Sequence, residues 1–262
     1  MLLAIDIGNT NINLGIFHDN RIKKRFLISA KDYSFNKINE KLDKANLEDV
    51  IICSVVPKAT KVLEKDLKIL SGKPPYIIGK GIKVPIKNLY RNAGQVGQDR
   101  LVNAYAGIML YGYPLVIIDF GTAVTFDVIS KNKEYLGGMI LPGLRISLDA
   151  LARETALLPK IHLERPKEFI GGSTKESMLS GIVHGFAALT DDLSNRIKGK
   201  IGKNALVIAT GGDINLIAAY CKKINKVDKD LTLKGLNLIY GIGKYTLTGT
   251  SKTFLIPQGD RP

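Results

Sequence analysis

Leu2-Leu3-Ala4-Ile5-Asp6-Ile7-Gly8-Asn9-Thr10-Asn11-Ile12-Asn13-Leu14-Gly15-Ile16-Phe17 decides how this chain is read. Apolar residues run up to a single Asp, a short turn of Gly, Asn and Thr follows, and the apolar character returns through Phe17. A buried strand, a tight polar turn and a second strand account for that order, which is a hairpin signal. The turn is rich in backbone N–H, hydroxyl and amide donors, with one carboxylate at its edge. Donors of this kind cradle a phosphate, and the carboxylate can hold the cation that accompanies it.

The pattern returns as Leu115-Val116-Ile117-Ile118-Asp119-Phe120-Gly121-Thr122-Ala123-Val124-Thr125-Phe126-Asp127-Val128-Ile129. Asp6 matches Asp119, Gly8 matches Gly121, and hydroxyl-bearing positions follow in both copies. A repeat spaced by half a chain predicts two related domains rather than a solenoid. Asp and Gly also serve as plain turn formers, but the matching flanks weigh against coincidence. We set the domains at 1–114 and 115–262.

With 262 residues, each half is large enough to bury its own core. The fractions of 45% apolar and 24% charged residues are those of an ordinary globular protein. No apolar run reaches the roughly 18 residues of a membrane span, and with no basic n-region or cleavage site ahead of the first strand no signal peptide is expected. A cytoplasmic location without membrane attachment is expected. Cys53 and Cys221 are distant in sequence and no Cys/His cluster exists, so neither zinc nor a disulfide framework is expected. The net charge of +14 permits anionic substrates. Its lysines are scattered and form no aromatic-interleaved patch, so no nucleic-acid partner is expected.

Between the hairpins the spacing predicts a strand at Arg21 to Ser29, a helix at Phe35 to Ala45 and a buried strand at Val50 to Val56. A helix at Thr60 to Leu70 and a short strand at Pro75 to Ile78 follow. Residues 82–97 read as an irregular loop, and Asp99 opens a helix to Tyr111. The second half repeats the theme: a strand at Tyr135 to Ile140, a leucine-faced helix from Leu144, a long helix at Lys175 to Ile197, and a buried strand at Ala205 to Ala209. A last helix covers Leu233 to Thr246, and 249–262 is a loosely held tail. Asp127 reads as solvated at a strand end, His184 as a packing residue, and Thr174 as a cap of the helix that follows it. Asp99 reads equally as the N-cap of its helix. No Walker A or G-x-G-x-x-G motif is present, which sets aside P-loop and Rossmann sites.

Asp6-Ile7-Gly8-Asn9-Thr10-Asn11, Ser54-Val55-Val56-Pro57, Gly97-Gln98-Asp99-Arg100, Asp119-Phe120-Gly121-Thr122-Ala123 and Thr210-Gly211-Gly212 occur in this order. Together they resemble the motifs of type III pantothenate kinases, over about residues 1 to 245. The resemblance implies an α/β fold of duplicated ribonuclease H-like (actin-like ATPase) βββαβαβα domains flanking a nucleotide cleft. It implies phosphorylation of pantothenate at its 4′-hydroxyl by ATP, the first step of coenzyme A biosynthesis, with Mg²⁺ and a monovalent cation, K⁺ or NH₄⁺. By the same resemblance Asp6, Ile7, Gly8, Asn9, Thr10, Asn11, Ile12 and Asn13 would hold ATP phosphate, Asp6 meeting Mg²⁺ through it. Asp119 would bind the monovalent cation, and Thr122, Gly211 and Gly212 would contact ATP. Tyr90, Gly97, Gln98, Asp99, Arg100 and Thr174 would contact pantothenate, with Asp99 as base and Thr174 acting across a homodimer. Arg100 offers a planar fork suited to a carboxylate. The alternative is an inactive relative serving as a transcription accessory factor. Gln98 stands where relatives often carry a small or apolar residue, and Ile12-Asn13 where Val and Thr are common.

Overall fold

The apolar run of the opening stretch forms β1 (Leu2–Ile7), the middle strand of a five-stranded sheet. It pairs antiparallel with β2 (Asn11–His18), and β3 (Arg21–Ser29) extends the sheet beyond β2. On its other edge β1 pairs parallel with β4 (Asp49–Ser54), followed by β5 (Tyr76–Ile77), giving the order β3-β2-β1-β4-β5. Leu3, Ala4 and Ile5 are fully buried. A strand covered on both faces requires such a continuous apolar run, whereas the edge strand β3 is mostly exposed. The computed structural model describes residues 1–42 and 46–248. The end of the first helix expected at Ala45 and the tail 249–262 lie outside the described residues.

The second sheet repeats this plan. β7 (Leu115–Phe120) pairs antiparallel with β8 (Ala123–Ile129), which pairs with β9 (Glu134–Pro142). On the other side β7 is parallel to β10 (Leu206–Thr210) and then β11 (Lys226–Val227). The order β9-β8-β7-β10-β11 is that of the first sheet, strand for strand and direction for direction. One strand has no counterpart. β6 (Lys87–Asn88) lies inside the segment read as a loop and adds itself parallel to β9, with Lys87 Nζ 2.7 Å from Glu134 Oε1.

Helix α1 (Phe35–Leu42) lies between β3 and β4 in the chain, and α2 (Pro57–Ser71) connects β4 to β5. Proline at the first position of α2 loses no intrahelical bond, and Gly72, with φ +70, ends the helix in the left-handed region. Leu63 and Leu67 of α2 enter the same apolar core as Leu3, Ile5, Ile12 and Leu14. α3 (Gln98–Tyr111) follows. The second core joins Val116, Ile118, Phe120 and Phe126 to Leu144 of α4 (Leu144–Glu154) and to Val183 and Ala187 of α5 (Thr174–Ile201). Ile214 and Ile217, from the single turn α6 (Ile214–Ile217), complete it.

Two compact units divide the chain: Met1–Ile86, Gly94–Met109 and the helix α7 (Leu231–Thr248) in one, Lys87–Ala93 and Leu110–Asp230 in the other. The units differ from a division at residue 115 chiefly in α7, which packs on β1, β2 and β4. Gly15 of β2 makes room for it, since a methyl there would lie 3.1 Å from Leu233 Cδ1. Tyr240 Oη donates to Asp49 Oδ2 at 2.5 Å and Asn237 Nδ2 to Asn20 Oδ1 at 3.1 Å. An amphipathic pattern shows that a helix needs a sheet to cover, not which sheet.

Asp127 is a correction to the solvated strand end expected of it. It is fully buried, accepting from Tyr135 Oη at 2.7 Å and from Thr125 Oγ1 at 3.2 Å. His184 lies edge-on between the rings of Phe169 and Tyr220, at 4.8 and 4.9 Å. Among the described residues no helix is long and apolar enough to cross a membrane.

Candidate active site

In the first unit the end of β1 sets Asp6 opposite Asn13 on β2 and Cys53 on β4. Asn13 Nδ2 donates to Asp6 Oδ2 at 3.2 Å. The chain then turns tightly, the Gly8 N–H donating to the Asn11 carbonyl at 2.9 Å, with Asn9 and Thr10 exposed at the tip. Ile7 and Ile12 flank the turn as buried core residues, so only their backbones are available to a ligand.

Asp99 lies in the first turn of α3, where the Arg100 N–H donates to its Oδ1 at 2.9 Å. Gly97 has no side chain because the Asp99 carboxylate fills that space; a methyl there would collide with Oδ1 and lie 3.7 Å from Val55 Cγ1. Arg100 is buried, at 9% exposure. The Gln98 side chain lies over Gly79, where a methyl would meet its Cδ at 3.1 Å, so that side chain is committed to packing.

Burial, and after it the charge of Asp99, raises the Asp6 pKa to about 7, against the lowering effect of the Asn13 hydrogen bond. Burial likewise raises the Asp99 pKa, opposed by the hydrogen bond from the Arg100 backbone and by the Arg100 charge. The Cys53 thiol is pushed well above its usual range by burial and by both carboxylates, and stays neutral. Two carboxylates near one another in a desolvated corner cannot both hold full charge cheaply.

This has a measurable sign. Folded, ligand-free Asp6 keeps its proton up to about pH 7, while the unfolded residue releases it near 3.8. Between those values the folded state binds the extra proton, so stability falls as pH rises from about 4 to about 7 and is flat above. Thermal melts at pH 5 and 7.5 should show that slope in the wild type and a shallower one in Asp6→Asn, where Asp99 still has a raised pKa. Equal slopes in both proteins would contradict the assignment.

The second unit builds a comparable corner. Asp119 pairs across β7 with Thr125 on β8 and Thr210 on β10. Gly211 follows β10 with φ +102, and a methyl there would lie 2.5 Å from Asp119 Oδ1 and from the Phe120 backbone nitrogen. The Gly121 N–H donates to the Ala123 carbonyl at 3.1 Å, closing the hairpin turn. The N-terminus of α4 abuts this turn: the Gly143 N–H donates to the Thr122 carbonyl at 3.1 Å, and no Cβ would fit at Gly143. The Asp213 N–H reaches back to the Phe120 carbonyl at 3.0 Å. Asp119, Thr122, Gly211 and Gly212 are thus gathered where two strands and one helix meet.

Tyr90 and Thr174 lie elsewhere in this unit. The Tyr90 ring packs on Gly137, whose φ is +123, and its N–H donates to Asn88 Oδ1 at 2.9 Å. The cap of α5 is Ser173, whose Oγ accepts from Glu176 N–H, while Glu176 Oε2 accepts from Gly172 N–H. With Ser173 as the cap and Glu176 accepting from Gly172, the residue before Ser173, Thr174 is the first helical residue and not the cap. Thr174 instead lines a depression of about 630 Å³ with Leu158, Gly171, Gly172, Ser173, Ser177 and Met178. Sequence reading missed one member of the second corner, the ion pair between Arg145 and Asp213 at 2.8 Å. Its partners are 68 residues apart, and the sole local hint was Pro142-Gly143 ahead of a helix.

One strand order used twice, each copy carrying an Asp at the end of its first hairpin strand, defines the duplicated ribonuclease H-like fold of the actin-like ATPases and kinases. The chain shares its fold with a Baf family transcriptional activator from Campylobacter jejuni, at a TM-score of 0.57 and 21% identity, covering 93% of this chain and 99% of that one. A family model for type III pantothenate kinase matches residues 2–196. Type III pantothenate kinases from Citrifermentans bemidjiense and Moorella thermoacetica are 42% and 40% identical over 250 residues, covering 92% of this chain and 98% of each. The chain belongs to the type III pantothenate kinase family. It phosphorylates pantothenate with ATP, within coenzyme A biosynthesis. The inactive transcription factor is not favoured.

Proposed function

We propose that the 4′-hydroxyl of pantothenate is phosphorylated at the corner formed by Asp6, Asn13, Asp99 and Arg100. The observation that carries this is the juxtaposition of two carboxylates with raised pKa values at the ends of β1 and α3. A hydroxyl beside Asp99 would lose its proton to Oδ1 or Oδ2 late in the transfer, because phosphoryl transfer has a loose transition state and depends on position and charge neutralisation. The Arg100 charge acts on Asp99. That favours a role at the hydroxyl end of pantothenate over a grip on its distant carboxylate. Gly97 and the Gln98 backbone would border the substrate, while Tyr90 and Thr174 would meet more distant parts of it.

The turn from Ile7 to Asn13 would take ATP phosphate, and Thr122, Gly211 and Gly212 another part of the nucleotide. Among the described residues no group of three or more His, Cys, Asp or Glu side chains is arranged to hold a metal ion. Mg²⁺ suits such a site, since it binds through one or two carboxylates plus phosphates and water; Asp6 would be its carboxylate. When bound it supplies charge neutralisation to the phosphates. Asp119, beside backbone carbonyls of its turn, would hold K⁺ or NH₄⁺. We further propose domains near 1–114 and 115–262 apart from the returning helix α7, a homodimer that brings Thr174 to the partner's site, and a cytoplasmic location.

ADP release from the purified protein tests the reading. Turnover is expected to require pantothenate, to stop with EDTA, and to need K⁺ or NH₄⁺ in place of Na⁺. Full turnover in Na⁺ alone would remove the cation role of Asp119, and no turnover in any salt would remove the assignment of the corner.

A further inference from the structure

The Gly211-Gly212 turn has little rigidity of its own. Glycines cost the most conformational freedom to fix, nothing lies within 4 Å of where a Gly212 side chain would be, and α6 beyond it is a single turn of four residues. A helix that short does not hold itself together in water. The position of the turn therefore comes from its neighbours.

Those neighbours form a closed ring. The Thr122 carbonyl accepts from the Gly143 N–H, two residues before Arg145 in the first turn of α4. Arg145 Nε and Nη2 both donate to Asp213 Oδ1, at 3.1 and 2.8 Å. The Asp213 N–H then returns to the Phe120 carbonyl, on the same hairpin turn as Thr122. The Asp213 side chain is 10% exposed and that of Arg145 63%. Without the guanidinium a nearly buried carboxylate would lose its counter-charge, which is the costly way to break such a pair. A second arginine supports the same segment, Arg165 Nη2 donating to the Asn215 carbonyl at 3.2 Å.

We infer that Arg145 and Asp213 are a positioning pair, which holds the Gly211-Gly212 turn at a fixed distance from Thr122 and so sets the affinity for ATP. The inference rests on the reading that these two turns contact the nucleotide. The guanidinium acts through Asp213 and need not touch ATP itself.

Arg145→Gln and Asp213→Asn should each raise KM for ATP roughly five- to tenfold, the scale of coupling between directly interacting side chains. KM for pantothenate and kcat at saturating ATP should stay within about twofold. The double variant should be no worse than the worse single one, and Arg145→Lys should recover part of the loss. The rise in melting temperature caused by ATP should shrink in parallel, a readout that needs no turnover. If Asp213→Asn leaves KM for ATP unchanged while Arg145→Gln raises it, Arg145 is a direct ATP contact and the positioning role is overturned. Equal rises in both KM values, or additive losses in the double variant, would overturn it too. A wild type that fails to turn over pantothenate but is stabilised by ATP counts against the proposed corner alone, and the ATP shifts of the variants still decide the inference. No stabilisation of the wild type by ATP would overturn both.

Discussion

Asp99→Asn is expected to lower kcat by roughly two to four orders of magnitude, the usual contribution of a positioned base. The substitution keeps shape and an acceptor, so the hydrogen bond from the Arg100 N–H and the fit against Gly97 survive. KM for pantothenate and the far-ultraviolet circular dichroism should change little. A second consequence sets this variant apart from a general loss of structure. The Asp99 charge is the second cause of the raised Asp6 pKa, so removing it lets Asp6 ionise at lower pH. The loss of stability with pH described for the wild type should then occur over a lower interval. Turnover within tenfold of wild type would remove Asp99 from the role of base.

Gly211→Ala should be the most damaging single methyl in the second unit. Its φ of +102 is one that L side chains rarely adopt, and the added carbon would lie 2.5 Å from Asp119 Oδ1 and from backbone atoms of Phe120. Backbone cannot swing aside as a flexible side chain can, so β10, or the hairpin turn after β7, must shift. We expect a fall in melting temperature of about 5–10 °C. KM for ATP should rise at least about tenfold, the response of a site whose supporting backbone has moved. Gly212→Ala is the internal control. No protein atom lies within 4 Å of its missing side chain and no left-handed φ is involved, so its melting temperature should stay near wild type. Equal effects at the two positions would mean that the local fit at Gly211 is not what matters.

Both effects were only partly legible in the sequence. The two hairpins were, because a continuous apolar run ending in Asp and Gly can be satisfied by few local structures, and β1 and β7 pair as that reading required. The parallel strands at Val50 and Ala205 were legible for the same reason. β6 was not: two residues have no periodicity, and the pairing of Lys87 with Glu134 spans 47 positions. Asp127 was misread because what buries it, the Tyr135 hydroxyl, comes from the next strand. Thr174 and Ser173 are adjacent hydroxyl residues, and only geometry shows that Ser173 is the cap. The local pattern marked Asp6 and Asp99 as candidates one by one. Their mutual electrostatic effect exists only once the end of β1 and the start of α3 come together.

The return of α7 to the first sheet bears on how the chain is made. β1, β2 and β4 leave the ribosome early, but the helix that covers them begins only at Leu231. At ordinary elongation rates the interval from Ser54 to Leu231 lasts on the order of ten seconds or more. For that time part of an apolar sheet has no cover of its own. A nascent chain cut short before Leu231 would expose surface to which holding chaperones bind and from which aggregates grow. Correct assembly of the N-terminal sheet therefore depends on translation reaching α7.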